Sequence, residues 1–370
     1  MSPRRGGGTG LGPLSGVKTV EFAGLGPGPF CGMILADLGA DVVLIERPGA
    51  RDLLGQERDL LQRGKRKVTL DLKSDDGAAT ALDLVASADL LIEGFRPGVM
   101  ERLGLGPDAC HARNPRLVYG RMTGWGQEGP RAETAGHDIN YIALAGALHG
   151  IGAEAPVPPL NLLGDFGGGA LYLAVGLLAG LHHARATGQG QVVDAAIVDG
   201  TAHLMTMIHS LAAAGVWQDR RASNVLDGAA HFYRNYACAD GKYIAVGSIE
   251  PQFYAALLKG AGVAAGEFSD QADPARWPAL AERLAEVFAT RPRSAWLEIF
   301  DGTDACVAPV LSMAESVADP HLTARGTYTE VEGITQPSPA PRFSRTPGAA
   351  GGAPRTVAPG DILKAWSARE

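Results

Sequence analysis

The chain has 370 residues, a net charge of −7, and 46% apolar against 20% charged residues. That balance provides a buried core and excludes disorder across the whole length. The length exceeds what one core normally fills, so two domains, or one large domain with an appendage, are expected. The mild acidity argues against a general nucleic-acid binder, which carries a basic footprint.

Residues 1–13 contain two arginines but no apolar stretch, and read as a disordered tail rather than a secretory signal. A β-branched run at 17–23 predicts a strand, residues 24–29 a turn, 30–38 a helix and 41–45 a second strand. Strand, crossover helix and strand make a βαβ unit, hence a parallel sheet. Further strands are expected at 68–72, 89–92 and 117–119, with Ser74 capping a helix that runs to 86. Residues 14–200 therefore form a large α/β domain built on an open, Rossmann-like parallel sheet. Within it, 121–168 is rich in glycine and proline, with one helical stretch at 139–148. Helices at 169–186 and 199–216 are too apolar to face water all round and require cover. The longest apolar run, 170–181, is 12 residues long, short for a bilayer span, so no membrane partner is expected. Residues 201–229 read as a linker helix, and 230–320 as a smaller α+β domain. That domain has strands at 233–237 and 243–246 around the turn dipeptide Asp240-Gly241, and helices at 252–259, 279–289 and 294–300. Residues 321–370, rich in proline beyond 337, read as an extended arm or tail.

The turn at 24–29, with Glu46 20 residues beyond Gly26, invites a dinucleotide reading. Pro27 and Pro29 lack N–H groups, however, so the turn reads as one that packs a helix closely on the sheet. Arg63, Lys65, Arg66 and Lys67 crowd four cations into five residues, and Arg47 follows the second strand. They are either a solvated face or a seat for a polyanion such as the phosphates of a nucleotide-like carrier. The four cysteines, at 31, 110, 238 and 306, have neither metal-ligand nor disulfide-framework spacing, so a reducing, cytoplasmic setting is expected. None of the nine histidines has metal-ligand spacing, and no metal site is expected. His149, His203 and His209 read as core or interface residues.

Three residues stand out chemically. His137 lies between a glycine and a helix start, either as a cap or as a base working near neutral pH. Asp165 lies in an apolar, glycine-rich stretch, either as the N-cap of the helix after it or as an acid whose poor solvation raises its proton affinity. Glu250 sits where an apolar strand ends and a helix begins, a first-turn acid or a third member of the same machinery.

Leu14-Ser15-Gly16-Val17, Gly26-Pro27-Gly28-Pro29, 36–43, Arg47-Pro48, Asp71-Leu72-Lys73, Arg96-Pro97-Gly98, Gly136-His137-Asp138 and 188–194 resemble the family III CoA-transferases, from about residue 14 to 346. Residues 135–141, 159–169 and 249–254 resemble the acyl-CoA racemase branch of that superfamily. The resemblance implies a large and a small domain joined by long linkers in an interlocked homodimer, with the C-terminal arm returning to the large domain. It also implies active sites between the large domain of one subunit and the small domain of the other. The implied substrate is a 2-methyl-branched acyl thioester of coenzyme A, interconverted between (2R) and (2S) forms without metal or organic cofactor.

Carried over residue by residue, the resemblance makes His137 one acid/base and Asp165 the other, with Glu250 orienting the histidine and the Asp165 N–H a donor to the enolate oxygen. It makes Arg47 an adenine and phosphate contact. Arg66, Lys67, Leu70, Leu72, Lys73, Arg96, the loop from Arg121 to Gly126, and Gly136 would line the CoA channel. Where related racemases read Leu-Asp-Gly-Gly-Ala-Pro, this chain reads Leu226-Asp227-Gly228-Ala229-Ala230-His231, a change expected to reshape the substrate mouth and to add a titratable histidine there. The rival functions are a CoA-transferase in which Asp165 attacks the thioester, and a non-catalytic acyl-CoA-binding protein.

Overall fold

The computed structural model describes residues 12–50 and 58–368. Residues 1–11 of the expected tail lie outside the described residues, whereas Gly12 is buried and its carbonyl accepts the Ser15 N–H at 3.0 Å. The chain divides into two compact units. The first gathers the residues up to Ala145, Leu160–Leu204 and the chain from His321 onward; the second comprises Gly146–Pro159 and Met205–Pro320. Residues 146–159, read above as part of the large domain, thus group with the smaller unit.

The strands in chain order are β1 (Lys18–Phe22), β2 (Asp41–Glu46), β3 (Arg66–Thr69), β4 (Leu90–Glu93), β5 (Val118–Thr123) and β6 (Gln191–Ala196). There follow β7 (Tyr233–Ala237), β8 (Tyr243–Gly247), β9 (Val307–Val310), β10 (Tyr328–Val331), β11 (Ile334–Pro337) and β12 (Arg355–Thr356). The first unit holds a seven-stranded sheet in the order β12-β3-β2-β1-β4-β5-β6, every pairing parallel. Both faces are covered, which is why its strands read as continuous apolar runs. Val42 turns toward Cys31, Leu35, Leu173 and Leu177 on one face, and its neighbour Val43 toward Leu84, Val85, Met100 and Trp366 on the other. Strand order reverses between β1 and β4, which opens a crevice at the carboxyl ends of those two strands.

Several expected elements shift, among them the strand expected at 68–72, which is β3 at Arg66–Thr69. The first helix starts three residues early, at Pro27–Asp37, because Pro27 and Pro29 fit a first turn whose N–H groups have no intrahelical partner. The helix expected at 169–186 begins at Leu162: Leu162–Ala170 adopts the wide π form and continues into the α-helix Leu171–Thr187. The whole run is long and apolar enough, by length and composition, to cross a membrane. Leu173, Leu177, Leu181 and Ala184 are nevertheless buried in the core with Val118 and Ala195 of the sheet. Its opposite face leaves Leu162, Leu171 and Val175 exposed. The helix expected at 199–216 is two helices, Ile197–Leu204 and Thr206–Ala213, parted at Met205 where the chain passes from one unit to the other.

In the second unit β7, β8 and β9 form an antiparallel sheet, with Gly241 at φ 73° in the β7–β8 turn. The helices Pro251–Ala261, Trp277–Phe288 and Arg293–Phe300 bury Tyr254, Trp277, Phe288, Trp296 and Phe300 in its core. The C-terminal arm belongs to the first unit: β10 and β11 pair as a hairpin, and β12 adds to the β3 edge. The helix Pro359–Ser367 buries Ile362 and Trp366, whose indole N–H donates to Asp41 Oδ2 at 3.0 Å.

Candidate active site

At the β1/β4 reversal lies a cavity of about 500 Å³. Its walls are the loop 23–29 after β1, the loop 94–97 after β4, residues 122–125 at the end of β5, and residues 134–137, with Tyr141 and Asp165. His137 borders it and is exposed at the start of the helix Asp138–Leu144. The cap there is made by the backbone and Asn140: the His137 N–H donates to Asn140 Oδ1 at 3.0 Å, and the Asn140 N–H to the His137 carbonyl at 2.8 Å.

Asp165 borders the same cavity from the first turn of the π run, a geometry that recurs at functional sites. Its Oδ2 accepts from Asn161 Nδ2 at 3.3 Å and faces Gly26, which has φ 65° and where a Cβ would approach that oxygen to 3.0 Å. Burial pushes the Asp165 carboxyl above its ordinary value; the Asn161 bond pulls it back, the Asp138 charge raises it further and His137 opposes that. The Asp165 N–H, expected as an oxyanion donor, is already committed, donating to Asp138 Oδ1 at 2.6 Å. An imidazole and a carboxyl of raised proton affinity thus border one cavity, an arrangement able to take a proton from a bound carbon acid and to return one.

A second cavity, of about 650 Å³, shares Ala23, Gly24, Leu25 and Phe95 with the first, so the two adjoin along the β1 loop. Arg47, Lys67 and Leu72 line it, as do Arg58 and, from the C-terminal arm, Glu332 and Gln336. Arg96 and Gly136 line the smaller cavity.

The other expected channel residues lie elsewhere. Leu70 is in the core, and Lys73 is in an exposed turn with its N–H on Asp71 Oδ1. Arg121 is tied to Glu101 and donates to Gln127 Oε1 at 2.6 Å, while the Gly126 N–H is held by Thr123 Oγ1; of that loop, its middle four residues face the cavity. The cations of 63–67 each have a carboxylate: Arg63 with Asp37, Lys65 with Glu21 at 2.7 Å, Arg66 with Asp41 at 2.5 Å, Lys67 with Glu46 at 3.2 Å. Arg66 also lies over the Trp366 ring, and Lys65 is fully buried. Alternation along β3 parts Arg66 from Lys67, while Arg63 and Lys65 turn inward from the segment before the strand, so the four form no single basic face.

Residues 14–359 match the model of CoA-transferase family III. The chain belongs to that family. It is 48% identical over 337 residues to an alpha-methylacyl-CoA racemase of Mus musculus and 47% identical to that of Homo sapiens, each match covering 90% of this chain and 87% of the relative. A CAIB/BAIF family protein from Brucella suis has the same fold, with a TM-score of 0.80 at 27% identity, over 97% of this chain and 99% of that one.

In this family III member Glu250 lies in the second unit, exposed, as the N-cap of Pro251–Ala261 with no side-chain capping bond. Asn161, Asp138 and Arg58 escaped the sequence reading. Asn161, one helical turn before Asp165, had a usable spacing signal; Asp138 lay within the Gly136-His137-Asp138 motif without a role of its own, and Arg58 had no signal. His149, His203 and His209 are exposed rather than core.

His231 is fully buried instead of lining a mouth. Its Nε2 is 2.6 Å from Tyr254 Oη, with Phe232 and Phe268 around the ring. Burial, helped by Arg234, lowers its pKa to about 4. A base whose pKa falls on folding binds its proton more readily in the unfolded chain. The His231 contribution to stability is therefore complete above about pH 6.5 and declines as the pH falls toward 4, by about 3 kcal/mol in all, against the opposite slope of Glu93, whose carboxyl burial raises to about 7. Urea unfolding of His231→Gln should lose that pH dependence; a wild-type slope between pH 6.5 and 4 would assign the acid lability elsewhere.

Proposed function

We propose that this protein is an α-methylacyl-CoA racemase, interconverting (2R)- and (2S)-2-methylacyl-CoA thioesters. The observation that carries the reading is that His137 and Asp165 border one cavity, adjoining a second that Arg47 and Lys67 line. The identity to two racemases over nine-tenths of the chain supports it. The CoA phosphates lie toward Arg47, and the thioester reaches over the 24–29 loop. One base takes the α-hydrogen as a proton, the C–H electron pair delocalises into the thioester as an enolate, and the other group delivers a proton to the opposite face. With the Asp165 N–H on Asp138 and the Asn140 N–H on the His137 carbonyl, the N–H groups of Asp138 and Ile139, at the start of Asp138–Leu144, are the donors beside His137 assigned to the enolate oxygen. The reaction needs no metal or cofactor beyond the CoA of the substrate. Glu250 is assigned the orienting of His137 in a homodimer, and the exposed Leu162, Leu171 and Val175 suit cover by a second copy. A reducing, cytoplasmic setting accords with four free cysteines, and branched-chain lipid metabolism with the substrate.

Incubation of 2-methylacyl-CoA in deuterium oxide without any acceptor acid tests the function. A racemase incorporates deuterium at the α carbon and loses optical rotation. A CoA-transferase using Asp165 as nucleophile reacts only when an acceptor acid is added, and a binding protein does neither. Arg47→Ala is expected to weaken acyl-CoA binding by about 1–3 kcal/mol, the range for a charged hydrogen bond, with turnover at saturation little changed. An unaltered dissociation constant by calorimetry would return Arg47 to the solvated surface. The homodimer is checked by sedimentation: a monomer at micromolar concentration would remove it.

A further inference from the structure

Asp138 is a buried acid beside the site to which the reaction above gives no task, and the one bonded to Asp165. It is 8% exposed and is the first residue of the helix that His137 opens. Its Oδ1 accepts the Asp165 N–H at 2.6 Å, a short charge-assisted bond between segments 27 residues apart. The approach depends on Gly164, where a Cβ would fall 2.4 Å from Asp138 Oδ1 and 2.8 Å from Ile142 Cγ2. The helix is itself anchored, with Ile142 fully buried and Tyr141 edge-on to Trp125 at 4.7 Å.

We propose that Asp138 is a positioning residue for the proton transfers: its carboxylate fastens the backbone of Asp165 to the helix that presents His137, and so fixes the spacing of the two bases. The inference rests on the reading of His137 and Asp165 as those bases. Asp138 is joined to one of them by a peptide bond and to the other by a hydrogen bond. Two groups serving opposite faces of one carbon must both stay within hydrogen-bond reach, and a misplacement of about 1 Å costs about a hundredfold in rate. The titratable and charged groups around the Asp165 carboxyl are Asp138 and His137, with Tyr141 and Arg96 on the same cavity. Of these, Asp138 is the one carboxylate, so removing its charge has a defined sign.

The test compares two full-length variants by α-hydrogen exchange across the pH range, with CoA affinity and thermal stability measured in parallel. Asp138→Ala removes the acceptor and is expected to lower kcat about 10- to 100-fold with CoA affinity little changed. Asp138→Asn keeps an oxygen for the Asp165 N–H but removes the charge. Its kcat is expected to recover most of that loss, and the acid limb of its pH profile to move to lower pH as Asp165 ionises more readily. Wild-type turnover in Asp138→Ala overturns the proposal. So does equal impairment of both variants with an unshifted profile, the mark of a residue needed only for folding. If Asp138→Ala does not fold, the profile of Asp138→Asn decides alone. Unimpaired racemisation in His137→Ala and Asp165→Ala would instead overturn the function on which the inference rests.

Discussion

Replacing either His137 or Asp165 by alanine is expected to abolish inversion at the α carbon, a loss of about 10²–10⁴-fold for a positioned acid/base, while leaving CoA affinity nearly intact. Both side chains border the smaller cavity, whereas Arg47 and Lys67 border the larger one, so the proton transfers and most of the carrier binding are carried by different walls. A two-base arrangement makes a finer demand than inactivity. In each variant the surviving base can still remove the proton that faces it, so exchange with deuterated solvent persists for one enantiomer and vanishes for the other. The surviving enantiomer must be opposite in the two variants. Exchange of the same enantiomer in both, or undiminished inversion in either, would sink the assignment. Chiral chromatography of substrate recovered from deuterium oxide, followed by mass spectrometry, reads both quantities.

Lys65→Met is expected to destabilise the fold by about 3–5 kcal/mol, the cost of leaving a buried charge without its partner. Lys65 Nζ reaches Glu21 Oε1 at 2.8 Å, the Pro29 carbonyl at 3.0 Å and Gln62 Oε1 at 3.2 Å, and both members of the ion pair are shut off from solvent. Burial drives the Glu21 carboxyl above its ordinary value even with Lys65 beside it. Without the lysine, Glu21 is best accommodated as the neutral acid, so the deficit should be larger at pH 8 than at pH 5. Joint replacement, Glu21→Leu with Lys65→Met, should restore much of the loss, because no charge is then stranded. Urea denaturation measures all three proteins; a Lys65→Met protein as stable as wild type would show that water reaches Glu21.

The same lysine shows what the sequence could and could not tell. The parallel sheet was legible because strands buried on both faces are written as unbroken apolar runs, such as Val42 to Ile45. Four cations in five residues promised one basic surface, yet their carboxylates come from Glu21, Asp37, Asp41 and Glu46, on three earlier elements. No local pattern announces pairings made across strands and a crossover. His137 and Asp165 were found through motif resemblance; spacing alone left each open to a capping role. The burial of His231 depends on Tyr254 and Phe268, which lie far along the chain. The early start of the helix at Leu162 was hidden by glycines that ordinarily break helices but here adopt the π form.

The pairing of β12 with β3 also sets a timetable for synthesis. Thr69 ends β3, yet its parallel partner Arg355–Thr356 is translated nearly three hundred residues later, after the whole second unit. At about 5–20 residues per second the nascent large unit waits roughly 15–60 s with that edge unpaired and the hollow for Trp366 unfilled. An open strand edge beside exposed apolar surface is what molecular chaperones recognise and what other nascent chains stick to. The ribosome-bound protein should therefore depend on such protection until its last few dozen residues emerge.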